Sequence, residues 1–215
     1  MNEFTSIETV KKIAESTVRR LSLYLRFLEE FEKDARDTIS SGELAKHGGT
    51  TSAQVRKDLS FFGSFGTRGL GYATKELTAH LRGILGLTRP WRVVIVGAGK
   101  IGAALAQYPG FHDRGFDVVG VYDSDPARIG RTLDGLTVVD VSHLAAEAKK
   151  LHADIGVIAV PPEAAQQIAA VLAECGVHAI LDFSTAPLVV PKGVQVRSVD
   201  LALELEVLSF ALTNA

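Results

Sequence analysis

The chain has 215 residues, of which 47% are hydrophobic and 22% charged, and its formal net charge is −2. This composition is close to the globular average, so it excludes wholesale disorder, and the length excludes a long multidomain enzyme. The single cysteine cannot close an intramolecular disulfide, and residues 1–10 lack the basic start and apolar run of a signal peptide. No apolar stretch approaches the roughly 18 residues of a membrane span. We therefore expect a cytoplasmic protein that has no membrane partner.

Charge is distributed unevenly along the chain. Residues 1–85 carry 13 basic and 11 acidic side chains, whereas residues 86–215 carry 10 basic and 14 acidic ones. Within residues 44–82, six basic side chains stand against two acidic ones. The small overall charge therefore conceals a locally basic segment, which is the kind of surface that attracts nucleic acid.

Three helices are predicted in the first 62 residues. The first covers residues 16–31, and its apolar face repeats at helical spacing through Val18, Leu21, Leu25 and Leu28. The second begins after Ser40 and ends at the glycine pair 48–49. The third begins after Thr51. Both of these starts show the capping-box pattern, a hydroxyl residue followed three positions later by Glu or Gln.

Two short helices joined by a glycine turn are typical of a helix-turn-helix, whose second helix enters the major groove of DNA. The polar and basic residues that could contact DNA from this pair are Gln54, Arg56, Lys57, Ser60 and Lys46. Glycines alternate with aromatic and apolar residues over 62–72, which predicts a small hairpin, or wing. Arg68 lies near its predicted tip, where an arginine can enter the minor groove or bind phosphate. A helix over 74–85 and a linker over 86–90 follow.

This pattern also has a second interpretation. Many helix pairs with a glycine turn never contact DNA, and Arg56 and Lys57 would then be ordinary solvated side chains. At the level of pattern alone, both interpretations stay open.

A glycine motif follows a buried strand in the second half of the chain. Strand 93–96 leads into Gly-x-Gly-x-x-Gly and then into a helix, the arrangement of a dinucleotide-binding βαβ unit. The residues of the motif are Gly97, Ala98, Gly99, Lys100, Ile101 and Gly102. The three glycines allow, in order, a tight turn, the close approach of a pyrophosphate, and close packing of the helix on the strand.

An acidic residue stands where such units bind ribose. Strand 117–122 ends at Asp123, 21 residues after Gly102. A carboxylate there accepts hydrogen bonds from the ribose hydroxyls and repels a 2′-phosphate, which favours NADH and NAD+ over NADPH. Alternatively, Asp123 belongs to a plain turn or helix cap together with Asp125 and Pro126.

Strand and helix segments alternate through the rest of this half. Strands are predicted over 137–139, 154–160, 177–183 and 194–199, with one helix opened by Ser142 and another ending at Gly176. Such alternation predicts a mostly parallel, doubly wound sheet. Val160 and Pro161 stand at the carboxyl end of a strand, where these sheets bind ligands, so we expect the nicotinamide end there.

The last predicted helix, over 201–212, is capped by Asp200 and is apolar on most of its circumference, with Leu205 and Phe210 on its two apolar stripes. A helix of this kind requires burial on more than one side. We expect it to pack against a second copy of the chain, by exchange of the helix between subunits. Docking on its own domain is the alternative.

Residues that would carry catalysis or bind a metal are missing from the pattern. The six histidines show no paired spacing and there is one cysteine, so no metal site is predicted. Nothing marks a proton donor, and residues 86–215 are few for both a cofactor domain and a substrate domain. A nucleotide-binding fold without such chemistry suggests a sensor. The alternatives are an NAD-dependent oxidoreductase with a helical cap and a CoA-binding or structural module.

Four segments carry a resemblance to a known family. They are residues 22–26 (SLYLR), residues 54–72 (QVRKDLSFFGSFGTRGLGY), the glycine motif with residues 103–111 (AALAQYPGF), and the pair Val199 and Asp200. With these segments, the sequence resembles the Rex family of redox-sensing transcriptional repressors along nearly its whole length. The long match over the third helix and the wing is highly specific, whereas the glycine motif alone is not.

The resemblance implies an α/β chain with an N-terminal winged helix-turn-helix domain, a Rossmann-like doubly wound parallel sheet and a C-terminal swapped helix, in residues 1–86, 91–199 and 200–215. It implies a non-enzymatic homodimer that binds pseudo-palindromic, double-stranded operator DNA when NADH is scarce and releases it when NADH binds, with NAD+ competing weakly. By motif matching, Arg56 and Lys57 contact the major groove and Arg68 the minor groove. The residues that would link cofactor state to dimer geometry are Arg26, Tyr108 and Asp200, and Tyr108 would also bind the cofactor.

Overall fold

A computed structural model describes residues 13–67 and 69–214. The chain divides into two compact units, Met1–Arg89 and Pro90–Ala215, and the predicted linker over 86–90 contains this boundary. In the first unit the described elements are, in chain order, α1 (Glu15–Lys33), β1 (Thr38–Ile39), α2 (Ser41–His47), α3 (Ser52–Ser60), β2 (Tyr72–Ala73) and α4 (Thr74–Ile84). Strands β1 and β2 pair in antiparallel fashion.

The helix starts of the first unit follow the predicted chemistry. The Ser40 hydroxyl accepts a hydrogen bond from the Glu43 amide at 3.2 Å, and the Glu43 carboxylate accepts one from the Ser40 amide at 2.9 Å, which completes the capping box of α2. Thr51 caps α3 by accepting from the Gln54 amide at 3.2 Å. The reciprocal bond is absent there because the Gln54 side chain instead donates to Asp58.

The first unit has one hydrophobic core, built where α1 packs against α4 and α2 against α3. Its fully buried side chains include Leu21, Leu25, Leu28, Leu44, Val55, Leu77 and Leu81. Val18, predicted on the apolar face of α1, is instead 40% exposed, and the neighbouring Thr17 is buried. The buried stripe of α1 continues through Tyr24 and Phe31, so one polar and two aromatic positions complete it.

The predicted hairpin over residues 62–72 is shorter than expected. The described part of the segment contains a single bridge, between Thr67 and Gly71, and β2 pairs with β1 rather than with the other arm of the wing. The physical reason is the glycine spacing: all four glycines of the segment, at 63, 66, 69 and 71, have positive φ angles, and the chain turns too often to sustain a ladder. Arg68 lies outside the described residues.

The second unit is a seven-stranded sheet with helices. Its elements are, in chain order, β3 (Trp91–Val96), α5 (Lys100–Ala106), α6 (Pro109–His112), β4 (Phe116–Asp123), β5 (Thr132–Leu133), β6 (Leu136–Asp140), a 3-10 turn (Val141–His143), α7 (Leu144–Lys150), β7 (Ile155–Ile158), α8 (Pro162–Glu174), β8 (Ala179–Asp182), β9 (Gln195–Ser198) and α9 (Leu201–Thr213). The strand order is β5-β6-β4-β3-β7-β8-β9, and every pairing except β5 with β6 is parallel. From β3 the chain adds β4 and then β6 on one side of the sheet, and it then returns to the other side of β3 for β7, which makes a switch point between β3 and β7.

Two details of this unit differ from the sequence-based expectations. Strand β5 was not predicted, because two residues are too short to show a period. The cap before α7 is Asp140 rather than Ser142. The Asp140 carboxylate accepts from the Ser142 amide at 2.8 Å and opens the 3-10 turn, because Asp140 still has the extended backbone of β6.

Helix α9 has no buried residue. Asp200 caps it, accepting from the Ala202 and Leu203 amides at 2.9 and 3.3 Å. Leu205 and Phe210 are 67% and 70% exposed. Within the described residues, no helix has both the length and the apolar character needed to cross a membrane.

Candidate functional site

A groove of about 660 Å³ lies between α3 and the wing in the first unit. Its lining includes Ser41 at the start of α2, Arg56 on α3 and the described wing residues Thr67 and Leu70. The Arg56 guanidinium donates to the Ser41 hydroxyl at 2.9 Å, so the arginine is held at the groove. The surface therefore presents a positioned cation between two elements that can both approach a nucleic acid.

A buried carboxylate fixes α3 against α1. Asp58 has no exposed surface, and its two oxygens accept from Nε and Nη2 of Arg20, each at 2.7 Å. Tyr24 donates to the same carboxylate at 3.0 Å and Gln54 at 2.8 Å. A bidentate arginine pair of this kind specifies orientation as well as proximity. Sequence reasoning counted Asp58 only as a charge, although it lies one turn after Val55 on the buried face of α3.

Hydrogen bonding keeps Asp58 ionised. Burial alone raises the pKa of its carboxyl group, but the hydrogen bonds from Arg20, Gln54 and Tyr24 outweigh burial and hold the pKa below its usual value. Burial, with the bond to Asp58, raises the pKa of Tyr24, so the phenol remains a donor. The cluster is therefore a charged, fully partnered network.

The other predicted DNA contacts lie on the exposed side of these helices. Lys46, Lys57 and Ser60 are exposed, and the Ser60 hydroxyl donates to the Lys57 carbonyl at 2.8 Å. Gln54 is half-buried and engaged with Asp58, which gives it a contact within the domain. Arg26 is exposed on α1.

A cleft of about 650 Å³ opens at the carboxyl ends of the strands of the second unit. Of the residues predicted to bind a cofactor, Gly97, Asp123, Val160 and Pro161 line it. The cleft is also lined by residues that the sequence analysis did not assign to cofactor binding: Ser124, Asp125, Arg128, Val141, Ser142, Leu144, Ala145, Ala164, Gln167, Ile168 and Val171, with Val96 and Ala159 from the strand ends. Most of these form an apolar wall beside Asp123, suited to an aromatic base. The sequence could have indicated the lining residues after β6, because that segment follows a strand that ends at the same edge of the sheet.

The three motif glycines are constrained in different ways. A Cβ on Gly97 would lie 2.3 Å from the Ala159 carbonyl oxygen, and one on Gly102 would lie 1.7 Å from the Gly97 oxygen. Gly99 has no such conflict, since the nearest atom to its Cβ would be Arg128 Nη1 at 3.9 Å. The fold therefore requires the first and third glycines, whereas the open space at the second is available to a ligand.

Asp123 ties the glycine loop to the end of β4. Its Oδ2 accepts from the Ala98 amide at 2.6 Å and from Arg128 Nη1 at 3.1 Å, and its Oδ1 accepts from the Asp125 amide at 2.8 Å. Burial alone raises the pKa of this carboxyl group, but these hydrogen bonds outweigh burial and hold the pKa below its usual value. The carboxylate is thus an ionised acceptor beside the glycine loop.

The remaining predicted cofactor residues are not among those that line the cleft. Lys100 and Ile101 are exposed in the first turn of α5. Tyr108 is 57% exposed and stacks edge-on with Phe111 at a centroid distance of 5.4 Å. In the described residues, no cluster of three His, Cys, Asp or Glu side chains is arranged to hold a metal ion.

Comparisons with known proteins identify the family. The model of a putative DNA-binding protein N-terminus matches residues 12–60, and the model of a CoA binding domain matches residues 88–186. A redox-sensing transcriptional repressor Rex from Desulforamulus reducens is 47% identical over 201 residues, which are 94% of this chain and 96% of that protein. The chain belongs to the Rex family.

Rex-family structures share the whole fold. The crystal structure of RSP in complex with β-NAD+ and operator DNA matches with a TM-score of 0.89 at 36% identity, over 94% of this chain and 93% of RSP. RSP in complex with β-NADH matches with a TM-score of 0.84 at 34% identity, over 94% and 95%. The predicted fold, a winged helix-turn-helix domain followed by a Rossmann-like parallel sheet, is confirmed for this Rex chain.

The glycine geometry of the Rex cleft makes one prediction. Gly99→Ala meets no steric conflict, so we expect it to cost less than about 1 kcal/mol in the free energy of unfolding, the scale of losing a good N-cap residue. Its methyl group would nevertheless occupy the ligand side of the loop and weaken dinucleotide binding. Gly102→Ala is the matched comparison and should destabilise the fold by several times more. Denaturant unfolding and NADH titration of both variants check this, and equal destabilisation by the two would contradict it.

The Asp58 cluster makes a second prediction. A carboxylate with a lowered folded-state pKa stabilises the fold above its unfolded value of about 3.9 and loses that effect as the pH falls through the folded value. We expect wild type to exceed Asp58→Asn in unfolding free energy by about 3 kcal/mol at neutral pH, because the variant leaves Arg20 without its anion. The difference should shrink below about pH 4.

Denaturant unfolding across pH measures this difference. Asp34→Asn, at an exposed carboxylate after α1, is the control and should change stability by less than about 0.5 kcal/mol. A difference for Asp58→Asn that is constant with pH would show that its charge does not hold α3 to α1.

Proposed function

We propose that this protein is a cytoplasmic transcriptional repressor that binds operator DNA as a homodimer and releases it when NADH binds, so that it reports the balance of NADH and NAD+. The observation that carries the proposal is that one chain joins a winged helix with a positioned cation beside its wing to a cleft with a dinucleotide glycine loop. RSP, a relative with the same fold, has been solved with NADH and with NAD+ plus operator DNA.

In this proposal α3 is the recognition helix. Arg56 and Lys57 contact base edges or phosphates in the major groove, and Lys46 and Ser60 add contacts to the backbone. Arg68 enters the minor groove. The Gln54 side chain donates one hydrogen bond to Asp58, so it contacts DNA only through its second N–H group and its carbonyl oxygen.

The cleft would bind NADH and NAD+ in the orientation common to Rossmann sheets. The pyrophosphate approaches the amides of the loop from Gly97 to Gly102, and the adenosine ribose meets Asp123. The apolar wall takes the adenine, and the nicotinamide end lies toward Val160 and Pro161. Tyr108, exposed at the start of α6, stands outside the cleft lining and would act in coupling with Arg26 and Asp200.

Binding rather than catalysis is proposed for this cleft. Among the described residues of its lining, the titratable side chains are Asp123, Asp125 and Arg128, and Arg128 pairs with both carboxylates. Ionised groups that satisfy one another are poorly suited to transfer a proton to a substrate. An oxidoreductase would instead oxidise NADH with a carbonyl compound, which an absorbance assay detects.

The exposed helix α9 supports a homodimer. Leu203, Leu205, Leu208 and Phe210 are each more than half exposed, and an apolar surface of this extent marks an interaction site. Both apolar stripes of the helix need cover, so insertion into a second copy satisfies it better than contact along one side.

The central test is a gel shift on a pseudo-palindromic duplex with and without NADH. If one dimer arrangement binds DNA and NADH stabilises another, operator DNA must weaken NADH affinity by the same factor by which NADH weakens operator affinity. Titrating NADH with and without the duplex measures the first factor, and the gel shift with and without NADH measures the second. Identical NADH affinities in the two titrations would contradict the sensor.

Arg56 provides a second test. Arg56→Ala should lower operator affinity by roughly 5- to 150-fold, the cost of about 1–3 kcal/mol for a lost base contact, and leave NADH affinity unchanged. Arg131→Ala, which removes an exposed cation from the second unit, is the control. Fluorescence anisotropy at fixed salt measures both, and unaltered operator affinity in Arg56→Ala would remove it from the base contacts.

The dimer gives a third prediction. Leu205→Asp should dissociate the dimer and abolish operator binding, because a charge would be buried in the interface. Glu206→Gln, one position along the same helix, should remain dimeric. Sedimentation velocity measures the masses, and a dimeric Leu205→Asp would contradict the role of α9.

A further inference from the structure

Arg128 lies in the cleft beside the predicted ribose acceptor. It follows Asp123 in a compact turn, in which the Arg128 amide donates to the Asp125 carbonyl at 2.9 Å. Its Nη1 lies 3.1 Å from Asp123 Oδ2 and its Nε 3.4 Å from Asp125 Oδ2. The side chain is 40% exposed, so water or a ligand can reach the guanidinium.

The pairing leaves Asp123 short of free acceptor positions. A carboxylate offers about four lone-pair sites. Ala98, Asp125 and Arg128 already donate to three of them, two on Oδ2 and one on Oδ1. The two hydroxyl groups of a ribose would require two acceptor positions on Asp123, and one is left. The amide donors belong to the backbone of the glycine loop and of the turn after β4, so the Arg128 side chain is the donor that has to move.

The same guanidinium carries the charge that a 2′-phosphate needs. In Rossmann units an acidic residue at this position selects an unmodified ribose, whereas a nearby arginine accommodates the 2′-phosphate. Here both residues are present and hold each other. A 2′-phosphate would therefore meet a guanidinium that is already paired with the carboxylates of Asp123 and Asp125.

We propose that the Asp123–Arg128 pair, rather than Asp123 alone, sets the selection between NADH and NADPH. Arg128 competes with the ribose hydroxyls for Asp123. Its guanidinium could also bind a 2′-phosphate, but the ion pair with Asp123 keeps it occupied. The inference rests on the proposed binding of NADH. It adds that removing Arg128 increases the preference for NADH over NADPH, whereas removing Asp123 decreases it.

A double-mutant cycle tests the pair, with calorimetric titration of NADH and NADPH and of two smaller probes, 5′-AMP and 2′,5′-ADP. The two smaller probes differ only in the 2′-phosphate, so they isolate the ribose position from the rest of the cofactor. Arg128→Ala should tighten 5′-AMP and NADH by about two- to fivefold, the worth of the exposed ion pair that the ribose no longer breaks. It should weaken 2′,5′-ADP and NADPH.

Asp123→Ala should have the opposite effect. It should weaken 5′-AMP and NADH and tighten 2′,5′-ADP, because the Nη1 group that Asp123 held can then donate to the phosphate, while Nε stays beside Asp125. Adding Arg128→Ala to Asp123→Ala should then lower 2′,5′-ADP affinity by about tenfold or more, the worth of a charged hydrogen bond. Arg131→Ala, an exposed cation outside the cleft lining, is the control for loss of charge.

Each outcome is decisive. Weaker 5′-AMP binding in Arg128→Ala would make Arg128 a direct ligand and overturn the competition. Equal 2′,5′-ADP affinities in Asp123→Ala and the double variant would overturn the latent phosphate site. A cooperative denaturant transition in each variant shows that it folds. Failure of the wild type to bind NADH at all would instead overturn the proposed function.

Discussion

The surface proposed to contact DNA depends on the charge of Asp58, which is buried and is not part of that surface. Asp58 lies at the buried side of α3, between the exposed Arg56, Lys57 and Ser60, and the bidentate bond from Arg20 fixes its rotation about the helix axis. An apolar residue at 58 would still bury α3, but apolar packing is non-directional and tolerates small rotations. A paired carboxylate costs desolvation and in return specifies one geometry. For a helix that presents side chains to base edges, orientation matters more than added stability.

The second unit uses the same device at its cleft. Asp123 is also buried and ionised, and it gathers donors from the glycine loop, from the turn after β4 and from Arg128. The difference lies in solvent access. The side chain of Arg20 is 24% exposed and holds Asp58 with two hydrogen bonds, whereas that of Arg128 is 40% exposed and holds Asp123 with one. The doubly bonded arginine suits a helix that must stay fixed, and the singly bonded one suits a site that must bind and release.

Much of the fold was predictable because its signals are local. Capping patterns at Ser40 and Thr51, the glycine motif and the apolar strands each depend on residues a few positions apart, and the structure confirms these elements. The errors concern information that is not local. Four glycines with positive φ shorten the wing, and β5 exists only because β6 pairs with it. That Asp58 needs a partner was predictable in principle, because an acidic residue on the apolar face of a helix requires one when it is buried. The sequence alone does not indicate that the partner is Arg20.

The cleft illustrates a stricter limit. Spacing alone identified Asp123, yet the chemistry of a carboxylate depends on which donors already hold it, and Arg128 reaches it through a turn whose geometry the sequence does not give. A similar argument applies to signal transfer. The hydrogen bonds described for each carboxylate join residues of a single unit. Coupling requires an element with two arrangements that both ligands bias. In the proposed homodimer we assign that role to helix α9, which follows the sheet along the chain and whose apolar surface is exposed on both stripes.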